Sequence, residues 1–208
     1  MTEQIRASAV AAAPRDVSIT AVRASRGPEE IKSPAMAAEQ APVVIETIAA
    51  NADGVDAAII AAFSDPGLDL ARERFSFPVV GIGESVLVAA ASVGRFVLVA
   101  HNPGNQATYA KHVETYGVRN SLIGIRYVLP ALPEGRSDPD TVKATLLDLI
   151  RAAIDEDGAE AVALGGGALA GLGAVVAGSV SVPVFDSVPA AVHLAVQRAR
   201  GRESGGNR

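Results

Sequence analysis

The sequence contains no cysteine and no tryptophan, and only 4% of its 208 residues are aromatic. Without cysteine the chain can form no disulfide, bind no metal through thiolates and perform no thiol catalysis, so a disulfide-stapled secreted protein is excluded. Alanine and valine dominate the hydrophobic content, which is 49% of the chain. This content suffices for a substantial core, and we expect small side chains to pack between helices and sheet.

Basic stripes and long apolar runs are also lacking. The net charge of −5 and the pI near 5.2 disfavour a nucleic-acid partner. Three arginines near the C-terminus, Arg198, Arg200 and Arg202, are interpreted as a solvated helix end. No uncharged run reaches the roughly 18–20 residues of a membrane span, and the N-terminus lacks the pattern of a signal peptide. We therefore expect a cytoplasmic protein without a membrane partner.

Signatures of metal and cofactor sites are absent as well. The three histidines, His101, His112 and His193, are too widely spaced for an H-x-H or H-x3-H metal pair. No P-loop or G-x-S-x-G motif occurs, and Gly81-Ile82-Gly83 lacks the third glycine of a dinucleotide fingerprint. We expect no metal and no cofactor. His112 and His193 fall on predicted helices and are interpreted as structural or exposed.

The stretch from 59 to 85 carries the strongest structural pattern. An apolar run over 59–63 predicts a buried strand, which a Ser-Asp-Pro-Gly turn ends. A helix over 68–74 and a second strand over 78–82 follow, and the second strand leads into a Gly-Glu-Ser loop. Ligands bind at the carboxyl ends of parallel strands in α/β sheets, so both loops are candidates for a binding site.

The rest of the chain alternates between predicted strands and helices, which indicates an α/β fold with a mostly parallel sheet. Further strands are predicted at 17–22, 95–100, 121–129, 161–164 and 182–185, and helices at 2–12, 35–50 with an interruption at Pro42, 86–93, 107–116, 141–157 and 189–200. A proline-rich loop over 130–139 is predicted at the surface, and the tail from 203 is predicted to be disordered.

The two halves of the chain echo one another. IIAAFSDPG leads to PVVGIGES in the first half, and VALGGGALA leads to VPVFDSV in the second. We therefore predict two similar lobes with mostly parallel sheets, flanked by helices and facing each other across a cleft. The first lobe is predicted over 1–95 plus 186–208, and the second over 96–185. The cleft is predicted to be lined by residues 62–66, 83–85, 101–105, 165–168 and 186–187.

These motifs resemble the aspartate/glutamate/hydantoin racemase superfamily, most closely its hydantoin and allantoin racemase branch. That branch has a strand, a catalytic cysteine, Phe-x-Asp-Pro-Gly-Leu, an Ala-Arg-Glu helix and Pro-Val-x-Gly-Ile-x-Glu, and all but the cysteine stand here by residue 84. A second motif, Leu-Gly-Cys-x-x-Met and then Pro-Val-x-Asp, corresponds to 164–169 and 183–186. The resemblance covers about residues 2–197 and implies a racemase-like fold, a cofactor-independent isomerase and a homo-oligomer.

Both catalytic cysteines of the family pattern are replaced, the first by Ala62 and the second by Gly166, and Leu169 stands in place of the family's methionine. In the family, one thiolate removes a proton beside a carbonyl while the opposite thiol supplies one. Neither alanine nor glycine can transfer a proton. Racemisation by two cysteines is therefore excluded for this sequence.

Two further departures concern the strand ends. Family members begin with a strand ending Asn-Pro-Asn-Thr-Ser, whereas this chain begins at Met1-Thr2, where that strand has already ended. A start placed too late and a functional truncation are both open explanations. After the strand at 95–100 the family commonly has substrate-holding threonines, but this chain has His101 and Asn102.

Several polar residues near the predicted strand ends remain candidates for the site, and each has a structural alternative. Ser64 and Asp65 could bind a carboxylate or simply cap a turn. The glycines at 165–167 could form an anion-binding nest or permit tight packing. His101 is a candidate substitute acid or base, or a surface histidine. The expected substrate-binding residues are Phe63, Ser64, Asp65, Gly83, Glu84, Asn102, Gly165, Gly167 and Asp186; Glu84 and Asp186 could instead be acids at helix N-termini.

Three functional interpretations stay open at this stage. The chain could act on a small carboxylate, a hydantoin or a cyclic amide through His101, Asp65 or Glu84. It could be a non-catalytic protein, derived from a racemase, that binds a small acid or partners an active enzyme. It could also be a cysteine-free variant of a working racemase.

Overall fold

The computed structural model describes residues 2–101, 103–128 and 138–205. Asn102 and most of the loop predicted over 130–139 lie outside the described residues. None of the helices in these ranges is both long and apolar enough to cross a membrane.

Helices and strands alternate along the chain as the sequence predicts. The helices are α1 (Thr2–Ala12), α2 (Pro34–Ala49), α3 (Leu68–Arg74), α4 (Ile82–Ala91), α5 (Gln106–Thr115), α6 (Pro139–Asp155), α7 (Leu172–Val176) and α8 (Ser187–Gly205), and the strands are β1 (Ala58–Ile60), β2 (Val79–Gly81), β3 (Phe96–Ala100), β4 (Leu122–Tyr127), β5 (Ala161–Gly165) and β6 (Val184–Asp186).

The strands form two parallel sheets, which confirms the predicted fold class. One sheet pairs β1 with β2, and the other has the order β4-β3-β5-β6. The central strands β3 and β5 are buried along their whole length, because helices cover both faces of their sheet. The assignment of residue ranges to two lobes remains a prediction.

Amphipathic helices provide the apolar cover of the larger sheet. The helix α6 begins at a side-chain cap, where Asp138 accepts hydrogen bonds from the backbone of Asp140 and Thr141. It then buries Leu146 and Ile150 against β3 and β5, as its apolar stripe predicts. On the opposite face, α4 and α5 pack against the same two strands.

Three local predictions were wrong. Residues 17–22 form no strand; Ile19 packs against the cluster beneath α8 without pairing to a neighbouring strand. The helix α4 begins at Ile82, directly after β2, rather than at 86. The helix α8 continues to Gly205, into the tail that was predicted to be disordered. Alternation of apolar and polar residues shows only that one side of a segment is buried. At 17–22 that side is buried by packing against a helix rather than in a sheet.

The internal echo of the sequence reappears as a repeated arrangement. The series β1, α3, β2, α4 has the same order as β5, α7, β6, α8. Gly67 and Gly171 directly precede α3 and α7, and both adopt the left-handed conformation, with φ of 73° and 86°. Because β2 ends at Gly81 and β6 ends at Asp186, these two residues occupy corresponding positions.

A buried carboxylate stands at the corresponding place in each half, although it comes from different positions in the chain. Asp65 accepts hydrogen bonds from the backbone N–H of Gly83 at 3.0 Å and of Glu84 at 2.7 Å. Asp186 accepts from Val188, 3.2 Å away, two residues after its own strand end. A Cβ on Gly81 would overlap the Asp65 carboxyl group. The carboxylate of Asp65 therefore fills the space that a residue-81 side chain would occupy.

This equivalence predicts a second-site rescue. Asp65→Ala leaves two buried N–H groups without an acceptor, so we expect the free energy of unfolding to fall by on the order of 2–4 kcal/mol. Gly81→Asp alone should also destabilise, because its side chain collides with Asp65. Combined with Asp65→Ala, it should recover at least half of the loss, because its carboxylate can reach the same two N–H groups.

Urea denaturation of the four proteins in this mutant cycle measures the coupling directly. The Asp65→Ala variant and the double variant share the Asp65→Ala substitution, so any backbone effect of that substitution cancels when the two are compared. A double variant no more stable than Asp65→Ala would contradict the equivalence of the two acids.

Candidate active site

The two positions at which the resemblance predicts catalytic cysteines lie just beyond strand ends. Ala62 lies two residues after the end of β1 and is partly exposed. Gly166 follows β5, and a Cβ built on it would have no atom within 4 Å. A side chain at 166 would thus enter open space. The φ of Gly166 is +109°, however, which L-residues rarely adopt, so any other residue there would be strained.

His101 leaves the larger sheet beside Gly166. The strands β3 and β5 pair in parallel with Ala100 opposite Gly165, so His101 and Gly166 are the next residues along the two strands. His101 is partly buried, and its Nδ1 is buried without a hydrogen-bond partner in the described residues. In the strand register, the residue predicted as a substitute acid or base is therefore a neighbour of Gly166.

Asp65 lies in the loop after β1 and is 6% exposed. Besides its bonds to Gly83 and Glu84, it accepts a hydrogen bond from the Tyr116 hydroxyl at 2.7 Å. Burial raises the pKa of Asp65 to about 7, although these three donors lower it. Its backbone has a φ of +46°, which is uncommon outside glycine. The three hydrogen bonds direct the carboxyl group at donors of the protein itself.

The glycines around this loop make room for it. A Cβ on Gly83 would overlap the carbonyl oxygen of Phe63 and would come within 2.7 Å of Asp65 Oδ2 and 2.9 Å of His112 Cε1. A Cβ on Gly165 would approach the Phe63 ring to 3.1 Å. Close packing, which was the alternative interpretation of the 165–167 glycines, therefore accounts for Gly165. Gly167 begins a short 3-10 turn next to Gly166.

The other two predicted acids are also engaged internally. Glu84 forms ion pairs with Arg72 and, at 3.0 Å, with Arg198, and so joins α3, α4 and α8. Asp186 accepts hydrogen bonds from Gly171 at 2.6 Å and Gly173 at 3.3 Å in addition to Val188. Burial raises the pKa of Asp186, against the lowering effect of those backbone donors. Both carboxylates lie at helix N-termini, where the helix dipole favours negative charge.

One face of α5 approaches the candidate site, and sequence reasoning missed it. Tyr109, His112 and Tyr116 are spaced three and four residues apart, so they share this face of the helix. The Phe63 ring packs edge-on against Tyr109 at 5.6 Å and against the His112 ring at 5.5 Å. His112 is 3% exposed. The spacing of the aromatic residues was the available signal.

Buried polar atoms without a partner gather at these strand ends. Among the described residues there are seven, and five belong to the loop after β1 or to the segment from the end of β3 through α5. The seven are Ser64 Oγ, His101 Nδ1, Asn105 Oδ1, Thr108 Oγ1 and His112 Nδ1, with Ser8 Oγ and Ser187 Oγ apart from them. Such atoms are costly unless a ligand or water satisfies them, so this grouping marks the candidate site.

Two grooves of the described surface lie away from the predicted site residues. No group of three or more His, Asp or Glu residues in residues 2–101, 103–128 and 138–205 could hold a metal ion. An open groove of about 710 Å³ lies between α2 and α3, and another of about 360 Å³ lies between α5 and β4. Neither groove is lined by a predicted site residue.

Asp65 and His112 predict opposite effects of pH on stability. Burial lowers the pKa of His112 to about 4, so its contribution is present above its ordinary pKa near 6.5 and is lost as the pH falls. The pKa of Asp65 is raised, so its contribution is present at low pH and is lost as the pH rises towards about 7. Between about pH 4 and 7 the two effects oppose each other.

His112→Phe should expose the Asp65 effect alone. Relative to the parent protein, we expect the free energy of unfolding of this variant to decline by up to about 3 kcal/mol more between pH 4 and 7. Urea denaturation across this range provides the measurement, and His193→Phe on the exposed face of α8 is the control. Parallel profiles for His112→Phe and the parent would show that His112 does not titrate as inferred.

Comparison with known proteins places this geometry in a family. The family model for Asp/Glu/Hydantoin racemase matches residues 1–195. A hydantoin racemase from Pseudomonas sp. (strain NS671) is 36% identical over 197 residues, which are 94% of this chain and 79% of that protein.

Solved structures agree with this match. Allantoin racemase from Klebsiella pneumoniae aligns with a TM-score of 0.84 at 32% identity, covering 94% of this chain and 81% of that one. Allantoin racemase from Pseudomonas fluorescens aligns with a TM-score of 0.86 at 27% identity, covering 97% and 86%. This chain belongs to the Asp/Glu/hydantoin racemase family, in its hydantoin and allantoin racemase branch.

Proposed function

We propose that this chain binds a hydantoin or a related cyclic amide between its strand-end loops and exchanges the hydrogen on the carbon next to the carbonyl, with His101 as the acid–base group. The observation that carries this proposal is the register of β3 and β5, which sets His101 beside the open space at Gly166. The similar proteins are a hydantoin racemase and two allantoin racemases, which supports a ligand of this class.

The electrostatics of the site favour a neutral ligand over a carboxylate. A helix N-terminus normally attracts anions through its free N–H groups. Here Asp65 occupies the N-terminus of α4, and Asp186 occupies the N–H groups at the start of α7 and α8. Arg72 and Arg198 face Glu84. A free amino acid would bring a further negative charge to donors already taken, whereas a cyclic amide brings none.

Because His101 is the one acid–base group of this proposal, it determines which reaction the site can support. The imidazole of His101 removes the proton as the C–H bond breaks, and the electron pair moves to the adjacent carbonyl oxygen as an enolate. The imidazolium then exchanges its proton with water and returns one to the same carbon. Because Ala62 cannot supply a proton from the opposite face, return to the original face is favoured. Exchange should therefore outpace racemisation.

Proton NMR in D2O tests this function. With L-5-methylhydantoin, the protein should accelerate loss of the α-proton signal above the buffer blank, while optical rotation decays more slowly. His101→Gln should reduce the exchange rate at least about a hundredfold, the contribution of a positioned acid–base group. His193→Gln is the matched control, because His193 lies exposed on α8.

Parallel experiments with L-alanine and L-lactate test the preference for a neutral ligand. Full exchange by His101→Gln would contradict the role of His101, and equal exchange of L-alanine would contradict the ligand class. Line broadening of the hydantoin without exchange would favour a non-catalytic binding protein derived from a racemase. A homo-oligomer and a cytoplasmic location remain part of this proposal, and light scattering tests the former.

A further inference from the structure

Three consecutive residues of the loop after β1 contact one face of α5. The ring of Phe63 packs against Tyr109 and His112. The backbone of Ser64 raises the pKa of the His112 ring against the effect of burial, and the Tyr116 hydroxyl donates to Asp65 at 2.7 Å. The loop is thus held on α5 by the aromatic contacts of Phe63 and by the side-chain hydrogen bond of Asp65.

These contacts join the two sheets. The loop follows β1 in the two-stranded sheet, whereas α5 connects β3 and β4 in the four-stranded sheet. His112 and Tyr116 lie one turn apart, and their rings are 5.0 Å from each other. Movement of the loop away from α5 would therefore break the Tyr116–Asp65 hydrogen bond and separate the Phe63 ring from His112.

We propose that His112 and Tyr116 are positioning residues, which hold the loop of residues 62–65 against α5 and so place Ser64 and position 62 at the ligand site. Ser64 supports this role, because its Oγ is buried and has no partner within the described part of the chain, while Phe63 and Asp65 on either side of it contact α5. A loop anchored on either side of an unsatisfied hydroxyl is arranged to present that hydroxyl to a ligand.

The charges around Asp65 define how this contact should respond to pH. Glu84 on α4 and Arg72 on α3 lie near it, together with His112 on α5 and Tyr116, which directly follows α5. Burial raises the pKa of Asp65, and the bond from Tyr116 lowers it. Loss of the Tyr116 hydroxyl should consequently raise the pKa further. A residue that served only to fill space would have no such effect.

Tyr116→Phe keeps the ring and removes only the hydroxyl. In the ligand-free protein we expect hydrogen exchange at the amides of residues 62–65 and 83–84 to accelerate about tenfold, the equivalent of one lost hydrogen bond. Tyr127→Phe is the matched control, because it removes the same hydroxyl group from a tyrosine on β4, whose ring faces Tyr109. His112→Phe, which retains an aromatic ring, should accelerate exchange in the same loop.

The second measurement is the affinity for L-5-methylhydantoin between pH 5 and 9, which rests on the proposed function. We expect Tyr116→Phe to weaken binding about tenfold and to move the inflection of the pH profile upwards from about 7. Tyr127→Phe should change neither quantity. The shift in the inflection separates positioning from a general loss of stability.

The two measurements fail in distinguishable ways. If the parent protein binds no hydantoin but the loop amides respond to Tyr116→Phe, the loop contact stands and the proposed ligand is wrong. If the parent binds hydantoin and Tyr116→Phe leaves either the loop exchange or the binding profile unchanged, His112 and Tyr116 are not positioning residues.

Discussion

The structure around the candidate site depends on the burial of one carboxyl group, that of Asp65. A buried acid is costly unless hydrogen bonds compensate it. Gly83, Glu84 and Tyr116 provide those bonds, and each sets a condition on the chain. The carboxyl group requires glycine at 81 to leave it space, and its own backbone takes a positive φ. The loop after β1, the start of α4 and the end of α5 are therefore fixed by a single side chain.

The three acids at the candidate site, Asp65, Glu84 and Asp186, are directed at donors of the protein itself, which limits the chemistry that the site can offer. Asp186 repeats in the second half what Asp65 does in the first, and Glu84 joins three helices through two arginines. Each has its oxygens directed at donors of the protein. Among the described residues, the polar atoms left without a partner include His101 Nδ1 and Ser64 Oγ, and neither belongs to a carboxylate. They suit hydrogen bonds to a neutral ligand better than ion pairs.

The sequence predicts most of the elements and only part of the site, for different physical reasons. Hydrophobic periodicity and turn residues set the bounds of α1 and α3, because those signals are local. The same periodicity misled at 17–22, where one buried side reflects packing on α8 rather than strand pairing. His101 could be placed at a strand end, but its neighbour Gly166 follows only from the order of the strands. The contacts of Tyr116 join residues 51 positions apart, and no local pattern encodes them.

The two positions predicted to correspond to catalytic cysteines differ in their backbone conformation. Position 62 lies in a loop held by Phe63, Ser64 and Asp65, so a side chain added to Ala62 would extend from an anchored segment. At Gly166 the φ of +109° and ψ of 153° belong to a region almost reserved for glycine. A cysteine there would require the backbone itself to change. Introducing cysteine at the two positions would therefore test two different things. A cysteine at position 62 would test the chemistry of a thiol on an anchored loop. A cysteine at position 166 would test whether the backbone there can adopt a conformation that residues other than glycine accept.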